Sequence, residues 1–143
     1  KVVGASSALR FLCKKKARFQ VSKMKVLLVN DEEDILQVVA DRLEFFGLDV
    51  VTARSGDECL SCVAQDMPDL VLLDVHMPGT DGLETLTILQ RGSPDLPVII
   101  FSASADPTIV EQAMARGAVD YLIKPFDPAV LKQKMSQALG RPL

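Results

Sequence analysis

Four apolar runs in this sequence each end in a residue that can do chemistry. Residues 70–73 (LVLL) lead directly into Asp74, and comparable runs lead into other polar residues: Asn30 and Asp31, Ser102, and Lys124. Carboxylate oxygens suit a hard divalent cation such as Mg²⁺, and an ammonium group can neutralise an anion. If the four runs are neighbouring strands, they bring carboxylates, a hydroxyl and an ammonium group to one cleft.

The apolar runs themselves predict how these residues are positioned. A short uninterrupted apolar run is typical of a strand that is buried on both faces, as in a parallel sheet. Open α/β sheets bind ligands at the carboxyl ends of their strands. We therefore expect Asp74 to stand at the ligand-binding edge of a parallel sheet.

From Met24 onward, five strand patterns alternate with five helical patterns. Capping signals precede the last four helices, at Ser55, Asp81, Asp106 and Asp127. The first helix is predicted to bury Ile35, Val38, Val39, Leu43 and Phe46, and the second Leu60, Val63, Ala64 and Met67. This alternation predicts an α/β fold: a doubly wound, five-stranded parallel sheet with right-handed crossovers and helices on both faces.

Length and composition fit one globular domain. The chain has 143 residues, of which 48% are hydrophobic and 24% charged, with no apolar run near the roughly 18 residues of a membrane span. No signal peptide is evident and three cysteines suggest no disulfide framework, so we expect a reducing, cytoplasmic setting.

The charge is unevenly distributed along the chain. Residues 1–23 hold seven basic and no acidic residues, whereas the remainder holds nine basic and nineteen acidic ones. An acidic body argues against nucleic-acid binding by the domain. We expect residues 1–23 to be a tag, linker or upstream segment and residues 24–143 to be the folded domain. Alternatively, residues 9–19, with Leu9, Phe11, Leu12 and Phe19, form a weak amphipathic helix for a partner or a membrane surface.

Four segments closely resemble the receiver domains of two-component response regulators, the CheY-like superfamily. They are Asn30-Asp31-Glu32, residues 72–82 (LLDVHMPGTDG), Phe101-Ser102-Ala103, and residues 120–126 (DYLIKPF). Each follows or overlaps a strand end, and all occur in the order that the family has. The resemblance implies the flavodoxin-like strand order 2-1-3-4-5.

The resemblance also implies the roles of the site residues. Asp74 would accept a phosphoryl group from the phosphohistidine of a histidine kinase, while Lys124 and Ser102 contact phosphoryl oxygens. Ser102 and Tyr121 would be a coupled switch pair that changes the face formed by the fourth helix, fifth strand and fifth helix. Because charge neutralisation and positioning supply most of the rate of phosphoryl transfer, no separate general base is required.

Magnesium is the cofactor that the resemblance implies. Its ligands would be Asp31, Asp74 and the backbone carbonyl of His76, with Asn30 reaching the ion through water. The family usually has aspartate where this chain has Asn30, which removes one negative charge. We therefore expect weaker Mg²⁺ binding, with phosphorylation retained.

The leading hypothesis is a signalling phosphoacceptor domain rather than an enzyme, one that promotes its own Mg²⁺-dependent phosphorylation and dephosphorylation. Its partners would be a sensor histidine kinase or histidine phosphotransfer domain, and a downstream effector or output domain. An alternative is a pseudo-receiver that docks a partner without phosphorylation. A phosphatase on a similar sheet is disfavoured, because its second acid would fall at His76.

Two further motifs have less specific interpretations. His76 is the only histidine, and we expect its side chain, with Ser104, to influence the lifetime of the phosphorylated state at the site entrance. Cys59 and Cys62 have the spacing of a redox motif but lie within a helical pattern, which favours a packing role.

Overall fold

Five parallel strands form the central sheet of the computed structural model, which describes residues 23–77, 80–103, 106–124 and 127–143. The strands are β1 (Lys25–Val29), β2 (Asp49–Ala53), β3 (Leu70–Asp74), β4 (Val98–Ser102) and β5 (Asp120–Ile123). Their order across the sheet is β2-β1-β3-β4-β5, and every neighbouring pair is parallel. The predicted order 2-1-3-4-5 is confirmed.

Each of these strands leads to a helix, and the helices cover both faces of the sheet. They are α1 (Glu33–Phe45), α2 (Gly56–Gln65), α3 (Gly82–Gly92), α4 (Pro107–Ala115) and α5 (Pro128–Leu139). Buried side chains of α2, α3 and α4 belong to one apolar cluster, and those of α1 and α5 to a second cluster. The doubly wound architecture predicted from the sequence is therefore confirmed.

Burial on both faces explains the uninterrupted apolar runs. In β1, Leu27 and Val29 join the cluster under α2, α3 and α4, whereas Val26 and Leu28 join the cluster under α1 and α5. The same alternation continues through β3, whose five residues are all buried. Successive side chains of a strand point to opposite faces, so a strand covered on both sides must be apolar throughout.

Helix starts follow the predicted capping signals. At four helices the predicted side chain accepts a hydrogen bond from a backbone N–H of the first turn: Ser55, Asp81, Asp106 and Asp127. The Glu58 carboxylate accepts from the backbone N–H of Arg54 at 3.1 Å, one residue before the Ser55 cap. Side-chain oxygens thus satisfy N–H groups that a helix start leaves without intrahelical partners.

The inner face of α1 matches the prediction except at Val38, and the predicted Ile35 and Phe46 are partly buried against the same cluster. Leu36, Val39 and Leu43 are its buried residues, whereas Val38 is 68% exposed. Leu36, Val39 and Leu43 recur at spacings of three and four and form a single stripe. Val38 lies roughly 200° around the helix from Leu36, because each residue advances about 100°. The prediction for Val38 was wrong because apolar residues also occur off the stripe.

The second helix also packs differently from the prediction. Ala64 and Met67 are exposed, while Leu60 and Val63 are partly buried as expected. Cys59 is fully buried in the core, and Cys62 packs against the same cluster. The two cysteines therefore lie inside α2 as packing residues, and Met67 lies beyond the end of the helix.

A two-residue antiparallel ladder was not predicted. His76–Met77 pairs with Thr80–Asp81 directly after β3. The ladder turns the chain back, so that α3 begins against the end of β3. A Cβ added at Gly82 would lie 2.4 Å from the Cα of Val75 and 2.8 Å from the carbonyl oxygen of Asp74. Glycine is therefore required where α3 approaches this backbone.

The predictions for the N-terminal extension fall almost wholly outside the described residues, because residues 1–22 are not among them. The boundary after residue 23 and the amphipathic alternative involving Leu9, Phe11, Leu12 and Phe19 stay predictions. Within the described ranges, no helix combines the length and the apolar character needed to cross a membrane.

Candidate functional site

The site is centred on Asp74, the last residue of β3. Its side chain is buried, and the Nζ of Lys124 lies 3.1 Å from its Oδ2. Lys124 directly follows β5, and its side chain is only 18% exposed. A buried carboxylate is costly unless it is paired, so Lys124 supplies the charge that Asp74 needs. The structure thus brings together two residues that the sequence predicted to act together.

Backbone contacts fix the orientation of this pair. The Oδ1 of Asp74 accepts a hydrogen bond from the backbone N–H of His76 at 2.8 Å. The backbone N–H of Lys124 donates to the carbonyl oxygen of Ser102 at 2.7 Å, and its Nζ lies 4.7 Å from the centre of the Phe101 ring. Both carboxylate oxygens and the ammonium group are therefore held in place before any ligand arrives, which is what electrostatic preorganisation requires.

Asn30 begins the loop after β1 and is held there by backbone contacts. Asn30 is fully buried, and its backbone N–H donates to the carbonyl oxygen of Ala53 at 3.1 Å. Its Oδ1 accepts from the backbone N–H of Glu32 at 2.9 Å. Its Nδ2 is the one buried side-chain nitrogen or oxygen of the described residues that has no hydrogen-bond partner.

Arg54 contacts the loop after β1 and was not among the predicted site residues. Its Nη2 donates to the backbone carbonyl of Asp31 at 3.2 Å, and its Nη1 lies 3.8 Å from the carboxylate of Glu33. Arg54 follows β2 directly, just as Asp31 lies just beyond β1. Arg54 thus occupies a strand-end position like those of the other site residues, but β2 is less apolar than the strands that precede them.

Ser102 and Tyr121 lie on the neighbouring strands. Ser102 is the last residue of β4 and is fully buried; Tyr121 lies in β5 and is 9% exposed. In the register of the two strands, Ile100 is opposite Tyr121 and Ser102 is opposite Ile123. Ser102 and Tyr121 are therefore diagonal neighbours across the pair, on the same face of the sheet by strand alternation.

The backbone and the side chain of His76 have different surroundings. Its backbone N–H contacts Asp74, whereas the residue is exposed overall. The predicted influence of this side chain on the lifetime of the phosphorylated state stays a prediction. Ser104, the other residue of that hypothesis, lies outside the described residues.

The predicted magnesium ligands fit a hard cation in their chemistry. Asp31 and Asp74 offer carboxylate oxygens, and the carboxylate of Asp31 makes no hydrogen bond or ion pair within the described part of the chain. No three His, Cys, Asp or Glu side chains of that part form a group that could hold a metal ion. A cation here would draw its other ligands from backbone oxygens and water, as Mg²⁺ does in proteins.

Fold and site together define a class of protein. It comprises doubly wound parallel α/β domains that carry a buried carboxylate, a lysine and an acidic loop at the carboxyl edge of the sheet. The sequence profile of the response regulator receiver domain matches residues 26–136. The chain therefore belongs to the receiver-domain family of two-component response regulators, which are signalling domains.

Individual relatives agree with this assignment. The probable transcriptional regulator ycf27 of Guillardia theta is 38% identical over 120 residues, which make up 84% of this chain and 47% of that protein. A CheY-like receiver domain protein from Methanospirillum hungatei JF-1 superimposes with a TM-score of 0.80 at 28% identity, covering 83% of this chain and 95% of that one. The BeF3-activated DrrB receiver domain does so with a TM-score of 0.76 at 28% identity, covering 84% and 100%. The chain spans about half the length of the curated relatives it matches.

Proposed function

We propose that the chain is a phosphoacceptor that takes a phosphoryl group from a phosphohistidine onto Asp74. The observation that carries this proposal is the buried Asp74 carboxylate with the Lys124 Nζ 3.1 Å from Oδ2. A carboxylate is nucleophilic at neutral pH, but it must approach an anionic phosphoryl group. The lysine would offset part of that repulsion and hold a phosphoryl oxygen.

The transfer step follows from these groups. One carboxylate oxygen of Asp74 attacks the phosphorus, and the new O–P bond forms as the N–P bond of the phosphohistidine breaks. The imidazole leaves with the bonding electron pair and takes up a proton. Lys124 holds a phosphoryl oxygen, and the Ser102 hydroxyl donates to another. Hydrolysis of the aspartyl phosphate at the same site would return the domain to its starting state.

The chain's own oxygens would hold the cofactor. Asp31, Asp74 and the backbone carbonyl of His76 are the proposed ligands of Mg²⁺, with Asn30 reaching the ion through water. The ion supplies charge neutralisation for the phosphoryl oxygens when it is bound. Arg54 would position this loop, because it contacts the backbone of Asp31.

Partner recognition would follow phosphorylation. A phosphoryl group at Asp74 would draw Ser102 inward, and Tyr121 would move into the space that is left, so the face of α4, β5 and α5 changes. Four apolar side chains on these elements or their connections are substantially exposed: Met114, Val119, Ile123 and Val130. A downstream effector or output domain could read the population of the changed face. The phosphoryl donor would be a sensor histidine kinase or a histidine phosphotransfer domain, and the cytoplasmic location stays a prediction.

Phosphorylation by a small acyl-phosphate donor tests the proposal. Acetyl phosphate with Mg²⁺ should add one phosphoryl group, and mass spectrometry should locate it on Asp74. Asp74→Asn should abolish the addition. Lys124→Ala should slow it about 10²-fold, as loss of one preorganised oxyanion contact does, whereas the surface control Lys132→Ala should not.

The alternative is a pseudo-receiver that docks its partner without phosphorylation. The buried Asn30 favours it, because the loop after β1 then holds one carboxylate fewer. A parent chain that acquires no phosphate from acetyl phosphate would support this alternative and contradict the phosphoacceptor proposal. Phosphate found on a residue other than Asp74 would also contradict the proposal.

A further inference from the structure

The orientation of the Asn30 amide is determined by its neighbour. Its Oδ1 accepts from the backbone N–H of Glu32 at 2.9 Å. Turning the amide around would place its NH₂ group against that N–H, so two donors would meet. The oxygen must therefore face Glu32, and Nδ2 must point away from this backbone.

This orientation leaves a buried donor without an acceptor. Asn30 has no exposed surface, and within the described residues its Nδ2 is the only buried side-chain nitrogen or oxygen that lacks a partner. Native structures rarely leave such a group unsatisfied, since its desolvation is not compensated. The acceptor for this donor must therefore come from an ordered water or from a bound ligand.

Strand register places Asn30 beside the proposed nucleophile. Val29 is opposite Leu73 in the parallel pair of β1 and β3, so the next residues, Asn30 and Asp74, are neighbours at the sheet edge. Strand alternation puts both on the α1 and α5 face, and neighbouring strands lie about 4.8 Å apart. Phe101, opposite Asp74 in β4, continues the row and lies beneath the Lys124 ammonium group.

The need for a hydrogen-bond acceptor limits which kind of ligand can satisfy the Asn30 Nδ2. A cation cannot accept a hydrogen bond, and a cation-bound water directs its lone pair at the ion and presents its hydrogens outward. A phosphoryl oxygen is a charged acceptor and would lie next to Asp74. Lys124 and the Asn30 amide would then flank the phosphoryl group from β5 and β1.

We propose that Asn30 is an oxyanion-contacting residue whose Nδ2 donates to a phosphoryl oxygen held at Asp74. This inference rests on the proposed phosphoacceptor function and assigns Asn30 a contact beyond the water-mediated one to Mg²⁺. The receiver-domain family usually has aspartate at this position, and its carboxylate would repel the phosphoryl group. Compared with that aspartate, the Asn30 amide attracts the cation less strongly but adds a direct hydrogen-bond donor.

Beryllofluoride, which mimics a phosphoryl group on a carboxylate, separates the two roles of Asn30. Its dissociation constant would be measured at saturating Mg²⁺, and that of Mg²⁺ alone without beryllofluoride. At saturating Mg²⁺, Asn30→Ala should weaken beryllofluoride binding about tenfold, the loss of one hydrogen bond to a charged acceptor. Mg²⁺ affinity should fall by a smaller factor, because the water-mediated contact of Asn30 is lost as well. The isosteric Asn30→Asp keeps an acceptor for Glu32 N–H; it should weaken beryllofluoride at least as much while tightening Mg²⁺.

The outcomes separate this inference from the proposed function. If both variants bind beryllofluoride as tightly as the parent at saturating Mg²⁺, Asn30 makes no direct contact and the inference is wrong. Weaker Mg²⁺ binding by Asn30→Ala, with beryllofluoride affinity unchanged at saturation, would likewise assign Asn30 to the cation alone. A parent that binds no beryllofluoride would overturn the phosphoacceptor function, and this inference with it. Asp74→Asn lacks the carboxylate that beryllofluoride binds, so it gives the signal expected in the absence of binding.

Discussion

At the scale of single residues, Asp74 and Lys124 form a largely buried ion pair, with the lysine Nζ 3.1 Å from the carboxylate Oδ2. Moving two charges out of water costs several kcal/mol each, and a well-packed apolar pair of similar volume is often equally or more stabilising. Removing only one partner would cost about 3–5 kcal/mol, because the other charge is left buried and unpaired. A sheet edge built for stability alone would not need this pair, whereas a phosphoryl site needs both charges.

Cys59 and Cys62 should differ sharply in reactivity. Burial raises the pKa of Cys59 from an ordinary value of 9.0 to about 12, and the neighbouring Cys62 adds to the shift. Because the thiolate is the nucleophile, iodoacetamide at pH 8 should alkylate Cys62 much faster than Cys59. Peptide mapping of the native chain and of the chain in urea would measure both rates, with urea removing the difference. Equal rates in the native chain would contradict the burial of Cys59.

The same pKa shift sets a direction for stability against pH. The folded thiol keeps its proton up to about pH 12, whereas the unfolded chain releases it near 9.0. The folded state therefore binds more protons between these values, and the contribution of Cys59 to the free energy of unfolding should fall as pH rises through them. Comparing urea midpoints of the parent and Cys59→Ala at several pH values would isolate this contribution.

At the scale of elements, a close backbone contact positions the start of α3. Gly82→Ala should destabilise the fold by about 1–3 kcal/mol, as overpacking does, because the new Cβ would meet the backbone of Val75 and Asp74. Gly92→Ala in the same helix is the matched control, since a Cβ there meets nothing within 4 Å. Urea unfolding measures both variants, and similar midpoints would refute the close contact.

The elements also show what the sequence could predict. Strand ends and caps were predictable because they depend on neighbouring residues: an apolar run followed by Asp74, or Asp127 before Pro128. The inner face of α1 was only partly predictable. Apolar residues occur on several sides of this helix, so the sequence does not determine its rotation about its own axis. Packing against the sheet buries Leu36 and leaves Val38 exposed. The contact of Arg54 with Asp31 depends on a long side chain reaching between strands, and no local pattern encodes that reach. The orientation of the Asn30 amide depends on the position of the Glu32 backbone N–H, which cannot be predicted from the sequence.

At the scale of the whole molecule, the sheet connects the proposed site to the proposed output face. Asp74 lies in the central strand, β4 carries Ser102, and the outer strand β5 carries Tyr121 and precedes Lys124. The ion pair of Lys134 with Asp120, at 2.7 Å, joins α5 to the start of β5. A change at the sheet edge therefore has a short path through packed strands to α4 and α5.

Tyr121→Ala should uncouple this path, because no ring remains to fill the space that Ser102 vacates. In the parent, beryllofluoride should change amide hydrogen exchange in α4, β5 and α5. In Tyr121→Ala it should still bind but leave exchange on this face unchanged. Tyr121→Phe keeps the ring and serves as the control. A full exchange response in Tyr121→Ala would show that the face changes without this side chain.

The separation of Asp74 and Lys124 by 50 residues has a consequence for synthesis of the chain. The carboxylate leaves the ribosome well before the lysine, and the strand that precedes the lysine is the last of the five to be made. A nascent or truncated copy that lacks this strand holds the aspartate without its counter-charge. On the proposed function, such a copy is a poor acceptor of the phosphoryl group until the last strand has been made.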